Sequence, residues 1–214
     1  MTVQKSFFGT DGIRGRANTF PMTAKMAMKV AMATAITLRE LNEKGHQNRV
    51  VIGKDTRLSC YMIEQAMAAG FLSMGIDVIF LGPLPTPAVS MLTRSLRADV
   101  GVMISASHNP YEDNGIKFFN RHGRKVTENL EREIESRLSS AIKPVEASKL
   151  GKAFRIDSAS GRYIEYCKST LKGQTSLKDK TILVDAANGA NYKITPMLLT
   201  ELGAKVIRIN CDPD

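Results

Sequence analysis

Between residues 21 and 41, Met22, Met26, Ala27, Val30, Ala33, Ile36, Thr37 and Leu41 recur at helical spacing, and Gly45 follows as a stop signal. The spacing predicts a helix. Beyond it the pattern changes from periodic to continuous. Residues 49–53 form an unbroken run suited to a strand buried on both faces, and the polar stretch 54–59 feeds a second helix ending near Met74. The arrangement then repeats with a strand over 76–81, a stiff Gly- and Pro-rich loop over 82–87, and a short helix over 88–96 that Thr86 is placed to cap. A third strand over 99–105 and a fourth over 115–120 flank a tight polar loop. Residues 127–142 carry Leu130, Ile134, Leu138 and Ile142 on one stripe of a helix that is polar elsewhere.

Strands nearly continuous in Val, Ile and Leu, separated by helices, need cover on both faces. The expected class is therefore α/β, a three-layer α/β/α domain around a mixed or mostly parallel sheet. Residues 144–152 read as a linker. A helix over 158–172, a strand over 181–185, a loop over 186–190, a helix to Leu202 and a strand over 204–209 follow. This predicts a first domain over 1–148, and over 149–214 the linker with part of a second domain of the same type. A chain of 214 residues exceeds one ordinary domain and falls short of two.

With 43% apolar and 24% charged residues, the chain has the balance of a folded globular protein and lacks the low hydrophobicity of disorder. Charge narrows the ligands: 30 Lys and Arg against 21 Asp and Glu give a net charge of +9, a field that attracts anions. The basic residues are dispersed and Trp is absent, which favours a small phosphorylated ligand over nucleic acid. Cys60, Cys167 and Cys211 are far apart without CxxC spacing, so neither a zinc site nor a disulfide framework is expected. No apolar run reaches the roughly 18 residues of a membrane span, and residues 1–16 lack the apolar stretch of a signal peptide. The expected location is the cytoplasm.

Candidate chemistry concentrates in Ser105-Ala-Ser-His-Asn-Pro110, directly after a buried strand and followed by Tyr111-Glu-Asp-Asn-Gly115. In open α/β sheets, ligands bind beyond the carboxyl ends of the strands. Ser107 offers a hydroxyl there, His108 and Asn109 offer hydrogen-bonding groups, and Pro110 keeps the loop from becoming helix. A turn rich in Ser, Asn, Pro and Gly for conformational reasons explains the same residues. Acyl transfer ranks low, since no triad-like acid partner is visible. Lys117 shares a strand face with Phe119, and apolar neighbours of that kind tune a lysine for proton transfer; an edge-strand lysine that discourages aggregation is the competing reading. Arg14 lies between Ile13 and Gly15, where Gly12 and Gly15 allow a tight turn, and its guanidinium suits phosphate oxygens or simply solvent. Asp55 and Arg57 also follow a strand, and either face the same cleft or form a local ion pair.

Taken together, Phe8-Gly-Thr-Asp-Gly-Ile-Arg-Gly15, Ser105-Ala-Ser-His-Asn-Pro110 with Asp113-Asn-Gly-Ile-Lys117, and Val184-Asp-Ala-Ala-Asn-Gly189 resemble the α-D-phosphohexomutase superfamily, over essentially the whole chain. The wording of the first two segments is most similar to its glucosamine-phosphate branch. The resemblance implies an α-D-phosphohexomutase-like fold. It also implies an isomerase that interconverts glucosamine 6-phosphate and glucosamine 1-phosphate through a phosphoserine and a bisphosphate intermediate, on the route to UDP-N-acetylglucosamine and cell-wall precursors. On that reading Ser107 carries the phosphoryl group and ligates Mg²⁺ through it. Lys117 moves the proton, with His108 and Arg14 also in the catalytic set, and Arg14, His108, Asn109 and Lys117 contact phosphate. The partner is then a small hexosamine phosphate, with neither nucleic acid nor membrane, and an open sheet edge leaves room for a homodimer. The family's aspartate-rich metal loop has no counterpart here, since Asp212-Pro-Asp214 lacks its Gly and Arg. The chain by itself is accordingly expected to be inactive. The alternatives are a sibling phosphomannomutase or phosphoglucomutase, or a non-catalytic anion-binding module.

Overall fold

The computed structural model describes residues 7–42, 47–171, 173 and 176–213. Strand β1 (Ile13–Arg16) precedes helix α1 (Ala24–Leu41), followed by β2 (Arg49–Lys54), α2 (Ser59–Ser73), β3 (Asp77–Pro83), α3 (Thr86–Ser95), β4 (Val100–Ile104), β5 (Asp113–Asn120) and α4 (Glu128–Arg137). Then come β6 (Ala153–Arg155), α5 (Ala159–Ser169), β7 (Thr181–Asp185), α6 (Ile194–Glu201) and β8 (Lys205–Ile209). Six strands make one mixed sheet in the order β1-β5-β4-β2-β3-β6. β4, β2, β3 and β6 run parallel, while β5 is antiparallel to both β4 and β1. β7 and β8 form a separate parallel pair.

The continuous apolar runs serve both faces of the sheet. Val50 and Ile52 of β2 point into a core shared with Val30 of α1, Ile63, Met67 and Phe71 of α2, and Ile134 of α4. Between them, Val51 points to the opposite core, with Val89 and Leu92 of α3, Ile164 of α5 and Ile194 of α6. A side chain such as Phe71, fully buried, contributes about 1.5–3 kcal/mol through burial. Small residues let α1 and α2 pack closely, because a Cβ added at Gly70 would lie 2.5 Å from the Met28 carbonyl oxygen. The three-layer α/β/α architecture with a mixed sheet is the one the pattern predicts.

Several boundaries move for local reasons. α1 starts at Ala24, three residues after the expected start, because the Thr23 side chain accepts from the Met26 N–H (3.2 Å) and so caps the helix there. Gly45, the expected stop signal, lies outside the described residues, as does Lys172 at the end of the expected α5. Thr86 does not cap α3: it is the first helical residue, Pro85 precedes it, and no side-chain cap bond forms. The segment expected as a linker is fastened along the end of α2, with the Val145 N–H donating to the Ser73 carbonyl and the Gly151 N–H to that of Leu72, both at 3.0 Å. Past the anticipated boundary at 148, β6 pairs with Val78, Ile79 and Phe80 of β3 and extends the first sheet. β1 and β6 were both unforeseen, being four and three residues long without apolar alternation.

Candidate active site

β2 and β4 end side by side, with Lys54 paired to Ile104, so the turns that follow them open at the same edge of the sheet. Ligands enter α/β sheets at that edge. The β4–β5 turn is ordered by short bonds of its own. The Asn109 N–H donates to the Ala106 carbonyl (3.1 Å) and the Asp113 N–H to that of Pro110 (3.0 Å). The Asn109 side-chain amide donates to the Asp113 carboxylate (3.0 Å). Ser107 sits exposed on this turn with φ 57°, a left-handed conformation that costs a non-glycine residue about 1–2 kcal/mol. Its N–H donates to the Ser105 hydroxyl (3.0 Å), while its Oγ lies 3.4 Å from His108 Nδ1, at the outer limit of a hydrogen bond.

Beneath the turn lies a polar layer that the sequence only partly disclosed. Asp55 accepts from the Ser105 hydroxyl (3.0 Å), from Arg57 Nε (3.1 Å) and from the Thr56 N–H (2.8 Å). Arg57 reaches across to the turn itself. Its Nη1 donates to the carbonyls of Pro110 (2.6 Å) and Asp113 (3.0 Å), and its Nη2 to those of Ser107 (2.7 Å) and Asn109 (2.9 Å). Of the two open readings of this pair the local ion pair is present, with both side chains buried beneath the turn. Buried Asn114 closes the layer by donating to Ser59 Oγ (2.8 Å) and accepting from the Gly115 N–H (2.8 Å). The Cys60 thiol lies in the same layer, and burial pushes it up to about 11.

Arg14 and Lys117 come together through Asp11, a residue with no local pattern that marks it. Lys117 is nine-tenths buried, and its Nζ lies 2.7 Å from Asp11 Oδ2, which also pairs with Arg14. The Lys117 ammonium thus meets a carboxylate, a partner that the apolar flanks expected of it do not include. Burial raises the Asp11 carboxyl, but the hydrogen bond and charge of Lys117 and the charge of Arg14 outweigh it, leaving the group below its ordinary value of 3.8. Gly12 directs this segment with φ 82°, where a Cβ would lie 2.2 Å from the Ile116 carbonyl oxygen. Gly15, expected to share in the turn, lies inside β1 without a positive φ. Arg14 pairs across β1 and β5 with Gly115, whose carbonyl accepts from the Ser105 N–H (2.9 Å), while its side chain meets Asp11.

A cavity of about 370 Å³ is lined by Asp11, Gly12 and Arg14, together with Phe7, Gly9 and Thr10. A larger one, about 840 Å³, lies between the Phe7–Phe8 segment and α4, and none of residues 105–113 lines either cavity. The loop over 186–190 approaches from the second sheet, and its Asn188 carbonyl accepts from Thr56 Oγ1 (2.6 Å). Among the described residues, no three His, Cys, Asp or Glu side chains converge to hold a metal ion. An ion such as Mg²⁺ takes about six oxygen ligands, so the one oxygen that Ser107 offers does not make its site. No helix among the described residues is long and apolar enough to cross a membrane.

Residues 5–144 match the family model described as phosphoglucomutase/phosphomannomutase, alpha/beta/alpha domain I. The chain is 54% identical over 214 residues to the phosphoglucosamine mutase of Chelativorans sp. (strain BNC1), covering 99% of this chain and 47% of that protein. It is 56% identical over 211 residues to the phosphoglucosamine mutase of Mesorhizobium japonicum, covering 98% of this chain and 46% of that protein. A phosphoglucomutase/phosphomannomutase family protein from Burkholderia thailandensis shares the fold, with a TM-score of 0.81 at 24% identity over 98% of this chain and 44% of that one. The chain spans about half the length of the curated relatives it matches.

Proposed function

The chain belongs to the phosphoglucomutase/phosphomannomutase family, and on that premise we propose that it carries the serine loop of an enzyme interconverting glucosamine 6-phosphate and glucosamine 1-phosphate. The reading is supported most by one observation: an exposed Ser107 held in a left-handed turn at the carboxyl edge of the sheet, on the loop leading into β5, which carries Lys117 and pairs with the β1 strand of Arg14. Phosphoryl transfer depends on positioning and charge neutralisation more than on covalent chemistry by the protein, and this arrangement offers both. The proposed division puts the phosphoserine unit over 1–148 and the linker with a partial second unit over 149–214, with β6 of the latter segment paired into the sheet of the former.

In the proposed reaction a phosphoryl group on Ser107 Oγ passes to the free hydroxyl of the sugar phosphate. The Oγ–P bond breaks, a bond from phosphorus to the sugar oxygen forms, and the product is a sugar bisphosphate. The Lys117 ammonium gives its proton to the departing Ser107 oxygen and regains one from the attacking hydroxyl; Asp11 orients that ammonium. The bisphosphate turns over, and its other phosphoryl group returns to Ser107. Arg14 and His108 contact phosphate oxygens in both steps, and Asn109 shapes the turn beside them. Mg²⁺ would add charge neutralisation through the serine phosphate, a role for which this chain supplies one oxygen.

Isomerisation assays at the full length of the relatives test this reading, with glucosamine, glucose and mannose phosphates as substrates. The reading expects glucosamine phosphate to be preferred. Preference for glucose or mannose phosphate would move the chain to the sibling activity, and no turnover with any of them would leave an anion-binding module.

A further inference from the structure

Arg57 has the charge of a phosphate ligand and lies against the serine turn, yet its hydrogen bonds leave it nothing to offer a phosphate. A guanidinium carries five N–H donors in a planar fork and no acceptor. All five are engaged: Nε on Asp55, two on the carbonyls of Pro110 and Asp113, and two on those of Ser107 and Asn109. The side chain is about nine-tenths buried, so water does not compete freely for those donors. Four carbonyls from a seven-residue stretch converge on one rigid group.

The same carboxylate that holds Arg57 also sets the serine from the other side. Asp55 Oδ2 accepts from Ser105 Oγ (3.0 Å), and Ser105 Oγ accepts in turn from the Ser107 N–H (3.0 Å). Ser107 is thereby gripped at its N–H through Ser105 and at its carbonyl by Arg57. Its φ of 57° is a conformation that a serine does not hold without such support.

We infer that Arg57, braced by Asp55, is the positioning residue for Ser107: it fixes the backbone of the serine turn and leaves phosphate binding to other groups. The inference rests on the phosphoserine reading above. A lysine cannot take over the task, since an ammonium has three donors and no planar fork. A displacement of about 1 Å at a reacting group costs roughly 100-fold in rate.

The test compares Arg57→Lys with Ser107→Ala, both at the full length of the relatives. Arg57→Lys is expected to lower kcat about 100-fold with KM within about threefold of wild type. In the same variant the amides of Asn109 and Asp113 should exchange with deuterium at least about tenfold faster, while those in β2 and β4 keep their protection. A raised KM with unchanged kcat would make Arg57 a substrate ligand and overturn the inference, as would wild-type kinetics. Exchange that rises equally throughout the sheet would mean general destabilisation and overturn it too. Ser107→Ala separates this failure from that of the underlying reading: if it isomerises normally, the phosphoserine reading itself falls.

Discussion

Replacing Gly12 with alanine tests how the cation cluster is held in place. Gly12 adopts φ 82°, and a Cβ there would lie 2.2 Å from the Ile116 carbonyl oxygen and 3.3 Å from the Lys117 Cα. Both neighbours are backbone of β5, which is paired on one side with β4 and on the other with β1, so neither can swing away as a flexible side chain would. The left-handed conformation alone costs an alanine about 1–2 kcal/mol. Relieving an overlap of this kind adds about 1–3 kcal/mol of overpacking strain. The sum, about 2–5 kcal/mol, is a large part of the roughly 5–15 kcal/mol that holds a domain folded. Urea unfolding followed by circular dichroism should show the midpoint falling by about 0.7–2.5 M, given a slope of about 2–3 kcal/mol/M. Gly15→Ala is the control. Its Cβ would meet Pro21 Cδ at 3.4 Å and Met22 Cγ at 3.5 Å, ordinary contact, so the loss should stay under about 1 kcal/mol. A Gly12→Ala midpoint close to wild type, or a Gly15→Ala loss as large as that of Gly12→Ala, would refute the reasoning.

Two further outcomes follow from charge and burial. Because Asp11 titrates below 3.8 in the folded chain, its stabilising contribution is present above that value and disappears as pH falls through the lower folded value. Urea midpoints measured between about pH 5 and pH 2 should therefore fall less steeply for Asp11→Asn than for wild type, and identical slopes would count against the ion cluster. The Cys60 thiol, buried and raised to about 11, should resist a thiol reagent at about pH 8 until the chain unfolds, whereas half-buried Cys167 reacts in the native state. Rapid native labelling at Cys60, located by peptide mapping, would contradict this.

What the sequence disclosed depended on whether the cause was local. β2 and β4 stand out as unbroken apolar runs because both of their faces are covered, and the α4 stripe with Thr127 ahead of it marks a helix start, where the Thr127 side chain accepts from the Leu130 N–H. β1, with the sequence Ile-Arg-Gly-Arg, and β6, with all three residues exposed, owe their existence to strands far away in the chain. The serine turn was legible for the same reason as the buried runs, since its Ser, Asn and Pro content acts within a few residues. Asp11 was not. An acidic residue is an unexpected tenant of an anion-attracting cleft, and its role appears only when β1 and β5 bring Lys117 beside it. Arg57 was half visible, because its bond to Asp55 spans two residues while its bonds to the turn span 50 to 56.

The most direct trial of the proposed chemistry follows a labelled phosphoryl group placed on Ser107 in a protein of the relatives' full length. On adding unlabelled glucosamine 6-phosphate under single-turnover conditions, the label should leave the serine peptide for the sugar bisphosphate and end on the glucosamine 1-phosphate product as fast as that product forms, while the serine regains an unlabelled phosphoryl group from the bisphosphate. Product forming while the label stays on the serine would contradict it.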